Sequence, residues 1–262
     1  MIKQFVDNMA SLYRRRELIS TLVAKELKAR YRGSLLGMVW TFLNPLLLLL
    51  VYSLVFSVYM RVQMENYALF VFTGLLPWIW FTSSLSDGAT AVVSSGSLIT
   101  KSMFPAEVLP MVKILSNLMN YIFSLPLLFI FMAAYGVPLH LSILWLPVVM
   151  AAQLVMTLGM VYFLSALNVR FRDTQHVLGN LLTLWFFLTP VLYSIKNAPE
   201  DYRHLLFLNP MTVLAVSYQD IFIYGKAPNI TYLLALGLTG VVVTLIGFRQ
   251  FEIGKDMFAE EI

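Results

Sequence analysis

Six long apolar runs, at about 35–60, 67–93, 109–135, 141–169, 177–195 and 230–248, dominate this sequence. A helix that crosses a membrane needs ~20 predominantly apolar residues to span a ~30 Å hydrocarbon core. Runs of this length leave little chain for anything else. Only 12% of the 262 residues are charged, where soluble domains run near ~25%, and mean hydropathy is +0.77. The sequence therefore predicts an all-α integral membrane protein built as one domain. Residues 1–32 form an interfacial segment and 33–262 a domain of six transmembrane helices.

The segments between the runs refine that picture. Residues 1–32 carry Lys3, Arg14, Arg15, Arg16, Lys25, Lys28, Arg30 and Arg32, with Leu18, Ile19, Leu22, Val23 and Leu27 at helical spacing. An apolar stripe beside a basic face suits a helix lying along a membrane surface. Asn44-Pro45 predicts a kink in the first span, because proline removes a backbone hydrogen bond. Asp87 lies near the end of the second, where an acid is either paired or at the interface; the interfacial reading is favoured. The stretch Ser94–Pro110 is short, polar at its start and flanked by two spans. Ser97–Met103 predicts about two helical turns, stopped at Phe104-Pro105. A short helix standing off the membrane is a place for another protein to push. Residues 204–224 are apolar but broken by Asn209-Pro210. They are read as a re-entrant hairpin, whose bent backbone is tolerated at depth only against protein or a wet cavity.

With six crossings, the N-terminal segment, the even-numbered turns and the C-terminal tail share a face. Eight basic residues before the first span, with Lys101, Lys113, Arg170, Arg172, Arg249 and Lys255, give that face fourteen Lys and Arg. The other face has Arg61, Lys196, Arg203 and Lys226. The positive-inside rule then puts both termini in the cytoplasm. No cleavable signal peptide is expected, since the first thirty residues are charged.

Catalytic chemistry is sparse. The phosphate-binding pattern G-x-x-x-x-G-K-[ST] is missing, so nucleotide hydrolysis is not expected of this chain. His140, His176 and His204 fall in different turns, which argues against a metal site, and there is no cysteine. No cofactor is expected in the chain itself, and no basic patch interleaves with aromatics to suggest nucleic acid. Aromatic rings, in contrast, are abundant. Tyr52, Phe56 and Tyr59 recur on the first run, Trp78, Trp80 and Phe81 on the second, Trp185, Phe186 and Phe187 on the fifth. Rings join an apolar body to a polar tip, and a passage lined with them would let a sugar chain slide. Rings also gather at membrane interfaces for lipid reasons alone.

Four blocks bring a family into view: Lys28–Gly37 with Trp40 and Asn44-Pro45; Gly74–Phe81; Leu98–Lys101 with Phe104-Pro105 and Leu109-Pro110; and Arg170–Asp173 with Thr189-Pro190 and Asn209-Pro210-Met211. In order and spacing the chain resembles the membrane subunits of ABC-2 type exporters, in particular the Wzm-like permeases that export O-antigen, capsule and teichoic-acid polymers. One departure is Tyr218-Gln219, where that family often has Tyr-Arg.

The resemblance implies a homodimer in the bacterial inner membrane. Each subunit would dock a separate ABC ATPase that holds ATP and Mg. Ser97, Leu98, Lys101, Phe104 and Pro105, joined by Arg170, Arg172 and Asp173, would form the ATPase-coupling surface. The substrate would be a polysaccharide on an undecaprenyl diphosphate lipid, and Lys25, Lys28, Arg30 and Arg32 suit a diphosphate, since Arg and Lys pair with phosphate oxygens. The rings Tyr52, Phe56, Tyr59, Trp78, Trp80, Phe81, Trp185 and Phe186 would line the glycan path, and Asn209-Pro210 would gate it. A drug or small-lipid exporter of the same machinery is the first rival. An ion-driven transporter is a second, but it needs several ionisable residues at depth. A membrane enzyme is a third, without a convergent catalytic set.

Overall fold

The computed structural model describes residues 10–30, 32–102, 104–255 and 257–261. Residues 1–9, including Lys3, and Met103 at the end of the expected coupling helix lie outside them. The described chain is helical. α1 is Arg16–Arg30 and α2 is Trp40–Ser53, entered through a 3₁₀ turn at Gly37–Val39 and continued as a π-helix over Leu54–Tyr59. α3 is Tyr67–Ala89, α4 Ala91–Ser94, α5 Gly96–Ser102 and α6 Val108–Ala134. A 3₁₀ segment Leu141–Trp145 runs into α7, Leu146–Arg170. α8 is Thr174–Leu188, α9 Glu200–Leu206, α10 Pro210–Phe222, α11 Ile230–Lys255 and α12 Phe258–Glu261.

Five segments are long and apolar enough to cross a membrane: Gly37–Tyr59, Tyr67–Ala89, Val108–Ala134, Leu141–Arg170 and Ile230–Lys255. They match five of the six expected runs. The remaining run, 177–195, is shorter as a helix than expected. α8 has 15 residues, about 22 Å at 1.5 Å per residue. It stops at Thr189, which is extended (φ −102°, ψ 135°) because Pro190 follows. α9 and α10 meet at 104° and count as a sixth crossing only if taken together. The first span continues through Pro45 as α-helix and departs from α geometry only at Leu54.

α3 is the hub of the bundle. Its most apolar stretch is 78% buried, against 17% for the first span, because α2, α6, α7, α8 and α10 all pack on it. The tightest pairing is between α7 and α11. A Cβ on Gly247 would come within 2.0 Å of the Gly159 carbonyl oxygen, and one on Gly159 within 2.4 Å of the Thr244 backbone. The Thr244 hydroxyl donates to the Val155 carbonyl at 2.7 Å. Small residues let membrane helices approach this closely, and the hydroxyl adds an interhelical bond.

Candidate functional site

Several ion pairs gather near α5, at one end of the bundle. α5 supplies the short helix expected between the two spans, and Lys101 lies on it. Ser97 is exposed and Leu98 is 44% exposed, while Phe104 and Pro105 are half-buried where the chain turns back into α6. α12 packs on α5, anchored by Phe258, which is buried edge-on against Phe251. Arg170 reaches Glu261 of α12 at 3.8 Å; Arg172 and Asp173 beside it are exposed.

Glu107 ties this end together, and the sequence reading missed its role. It is 6% exposed. Its carboxylate pairs with Arg15 ahead of α1 and, at 2.9 Å, with Lys255 at the end of α11. The Tyr162 hydroxyl of α7 donates to its backbone carbonyl. Burial pushes the Glu107 carboxyl up, but the Lys255 ammonium, a hydrogen bond from its own backbone and the Arg15 guanidinium outweigh this. The carboxyl is held below the ordinary carboxylate range. Four separate segments thus converge one residue before α6. The signal was an acid in the turn itself; its partners could not be read, since Arg15 lies 92 residues away.

These contacts also place the N-terminal segment, the 94–107 turn, the Arg170 turn and the C-terminal helix at one end, as the charge count requires. α1 lies against α6. Ile19 and Val23 are buried, Leu22 and Leu27 pack at the margin of the core, and Leu18 faces out. Much of the expected lipid-facing stripe is therefore used on protein. Glu26 pairs with Lys113 of α6.

The four basic residues assigned to a diphosphate separate into two groups. Lys25, Lys28 and Arg32 line an open basin of about 510 Å³ on α1. Arg30 turns the other way. It pairs with Asp87 at 2.6 Å and donates to Asn117 Oδ1 at 3.0 Å, while Asn117 Nδ2 donates to Asp87 at 3.0 Å. Asp87 is thus paired rather than simply interfacial.

The rings fall into two sets as well. Phe186 contacts both Tyr52 and Trp78 at 5.4 Å, Trp78 contacts Phe81 at 5.9 Å, and Phe81 meets Trp185 at 5.3 Å. Phe56 lies 6.4 Å from Tyr67. Trp80 points elsewhere and stacks on Tyr121 at 5.2 Å. Trp78, Trp80, Phe81 and Phe186 are buried within the subunit, whereas Tyr59 is 71% exposed.

Asn209 binds the ring cluster to the bent pair. Its Oδ1 accepts from the Met211 backbone, capping α10, and from Trp185 Nε1 at 2.7 Å; its Nδ2 donates to Thr189 Oγ1 at 3.0 Å. Pro210 follows as the first helical residue, where its missing N–H costs nothing. Gln219, at the departure from the family pattern, is buried and donates to the Pro190 carbonyl at 2.8 Å.

Five helical segments long and apolar enough to cross a membrane fit a membrane component. The profile of the ABC-2 type transporter family matches residues 17–223. The chain belongs to the ABC-2 type transporter family. Among relatives of this ABC-2 subunit, an O-antigen export system permease protein RfbA from Myxococcus xanthus is 47% identical over 253 residues, covering 96% of this chain and 97% of the relative. A protein of the same name from Klebsiella pneumoniae is 33% identical over 245 residues, covering 93% and 94%. A polysialic acid transport protein KpsM from Escherichia coli is 21% identical over 241 residues, covering 89% and 93%.

Proposed function

We propose that this ABC-2 subunit is the permease of an ATP-driven exporter that moves a lipid-linked, O-antigen-like polysaccharide across the bacterial inner membrane. The observation that carries this reading is near-full-length identity of 47% to an O-antigen export permease. The geometry supports it. Two subunits would form the conduit, and both termini would face the cytoplasm, where fourteen Lys and Arg residues belong by the positive-inside rule. A separate ABC ATPase, carrying ATP and Mg, would grip α5 together with the Arg170–Asp173 turn.

The diphosphate of an undecaprenyl-linked glycan would rest on Lys25, Lys28 and Arg32. Arg30, with its guanidinium already shared between Asp87 and Asn117, would hold α1 in place. Tyr52, Phe56, Tyr59, Trp185 and the buried rings behind them would flank the glycan path. α9 and α10, with 7 and 13 residues, span about 10 and 20 Å. Each is short of the membrane core, which favours a re-entrant gate hinged at Asn209-Pro210.

Deleting the gene for this subunit should strip the polymer from the cell surface while lipid-linked polymer accumulates inside, and plasmid-borne wild type should restore it. Normal surface polymer in the deletion strain, with no second copy present, would refute the reading.

A further inference from the structure

Three polar contacts fasten the N-terminal segment along α6, and their order is the same on both sides. Arg15, just ahead of α1, pairs with Glu107, one residue before α6. Glu26 pairs with Lys113. Arg30 pairs with Asp87 of α3 and donates to Asn117 of α6 at 3.0 Å. Glu26 and Arg30 are about one helical turn apart on α1, as Lys113 and Asn117 are on α6. The two helices therefore run side by side in the same direction, with Ile19 and Val23 buried in the same side of α1.

The basin lies on the other side. With about 3.6 residues per turn, Ile19, Val23, Glu26 and Arg30 share one stripe of α1, and Lys25 and Lys28 fall nearly opposite, exposed at the basin wall. A helix fixed along one face and charged on the other carries its charges wherever its support goes. Glu107 stands where the chain passes from α5 into α6, so a displacement of α5 reaches α6 and α1 together. The two outer contacts also involve α11 and α3. Glu26–Lys113 joins α1 to α6 directly, and Glu26 is the neighbour of Lys25.

We infer that Glu26 and Lys113 are positioning residues that make the basin of Lys25, Lys28 and Arg32 move with α6. An anionic lipid head in the basin and ATP on the partner subunit then alter each other's affinity, because a coupling between two binding sites acts equally in both directions. The inference rests on the export reading, with an ATPase at α5, and adds a mechanical link between two places that the reading leaves separate.

The test uses the subunit with its ATPase in lipid vesicles and undecaprenyl diphosphate as the probe. The affinity for a non-hydrolysable ATP analogue is measured with and without the probe, and the wild type should show a shift of about five-fold or more. Glu26→Lys and Lys113→Glu each set like charges together and should shrink that shift to under about two-fold. Thermal stability should change little, since both side chains keep contact with solvent. The double swap restores opposite charges and should restore the shift, which a loss of packing alone would not do. The ratio is the readout, because Glu26→Lys also adds a charge beside the basin. Glu26→Gln and Lys113→Gln, which remove the attraction without repulsion, give the same reading if a reversal fails to insert. No shift in the wild type, full shifts in the single variants, or no recovery in the double swap overturns the link. Glycan export by the same wild-type complex would then leave the export reading standing; its absence would overturn both.

Discussion

Glu107 shows how one side chain can join distant segments of a chain. It is the residue at which α5 hands over to α6, and it is bound from α7, α11 and the segment before α1. Removing one member of a buried pair costs ~3–5 kcal/mol when the other charge is stranded in the interior. Arg15 and Lys255 keep partial access to water, so Glu107→Gln should cost less, about 1–3 kcal/mol. Because its pKa is lowered on folding, this carboxyl adds stability above the ordinary carboxylate range and loses it as pH falls through the lowered value. Melting curves of wild type and Glu107→Gln should therefore stay separated by a constant gap from about pH 6 upward and converge in acid. A gap that opens as pH falls would contradict the assignment. Asn209 makes the same kind of link elsewhere. Asn209→Ala loses a helix cap and the Trp185 bond, and a loss of about 1–2 kcal/mol in thermal or denaturant unfolding is expected. The break at Asn209-Pro210 was legible, since Asn-Pro inside an apolar run is a local signal. The Glu107 contacts were not, because they join segments far apart in the chain.

At the scale of elements, the long apolar runs located four spans to within about four residues at each end, and the start of the fifth. Two departures have local causes. α8 ends at Leu188 because Thr189-Pro190 breaks it, although the apolar run continues. α11 runs on to Lys255, past the apolar stretch that ends near Phe248, and this extension brings Lys255 to Glu107. Hydropathy alone could not show a helix continuing through Arg249, Gln250 and Glu252. The close approach of α7 and α11 was equally hidden, since it depends on which glycines face each other. Gly247→Leu should drive a side chain into the Gly159 carbonyl. The prediction is strong loss of folded subunit from membranes, whereas Thr244→Val, which removes one hydrogen bond, should cost about 1 kcal/mol or less. Equal abundance of Gly247→Leu and wild type would show that the two helices separate freely. For the proposed coupling element α5 and the turn after it, replacing Lys101 and Phe104 together by Ala should leave insertion intact and uncouple ATP hydrolysis from export. Full coupling in that double variant would remove α5 from its assigned role.

For the whole molecule, the family and the two ends of the bundle were legible in the sequence, while the division of labour among its side chains was not. Four basic residues looked equivalent, yet Arg30 is committed to Asp87 and Asn117 and the other three share an open basin. Eight rings looked like one lining, yet Trp80 belongs with Tyr121. The proposed dimer leaves the weakly buried first span as a natural contact face. The chain has no cysteine, so Val51→Cys supplies a single thiol. Oxidative cross-linking of two subunits through it in membranes is the expected result; exclusively monomeric protein across a scan of exposed first-span positions would argue against that interface. As proposed, this subunit supplies a passage and takes its work from a separate ATPase at α5. The most direct measurement is uphill movement of a lipid-linked glycan in sealed vesicles containing the subunit alone or with that ATPase and ATP. Transport only with both is predicted; sustained uphill transport by the subunit alone would contradict it.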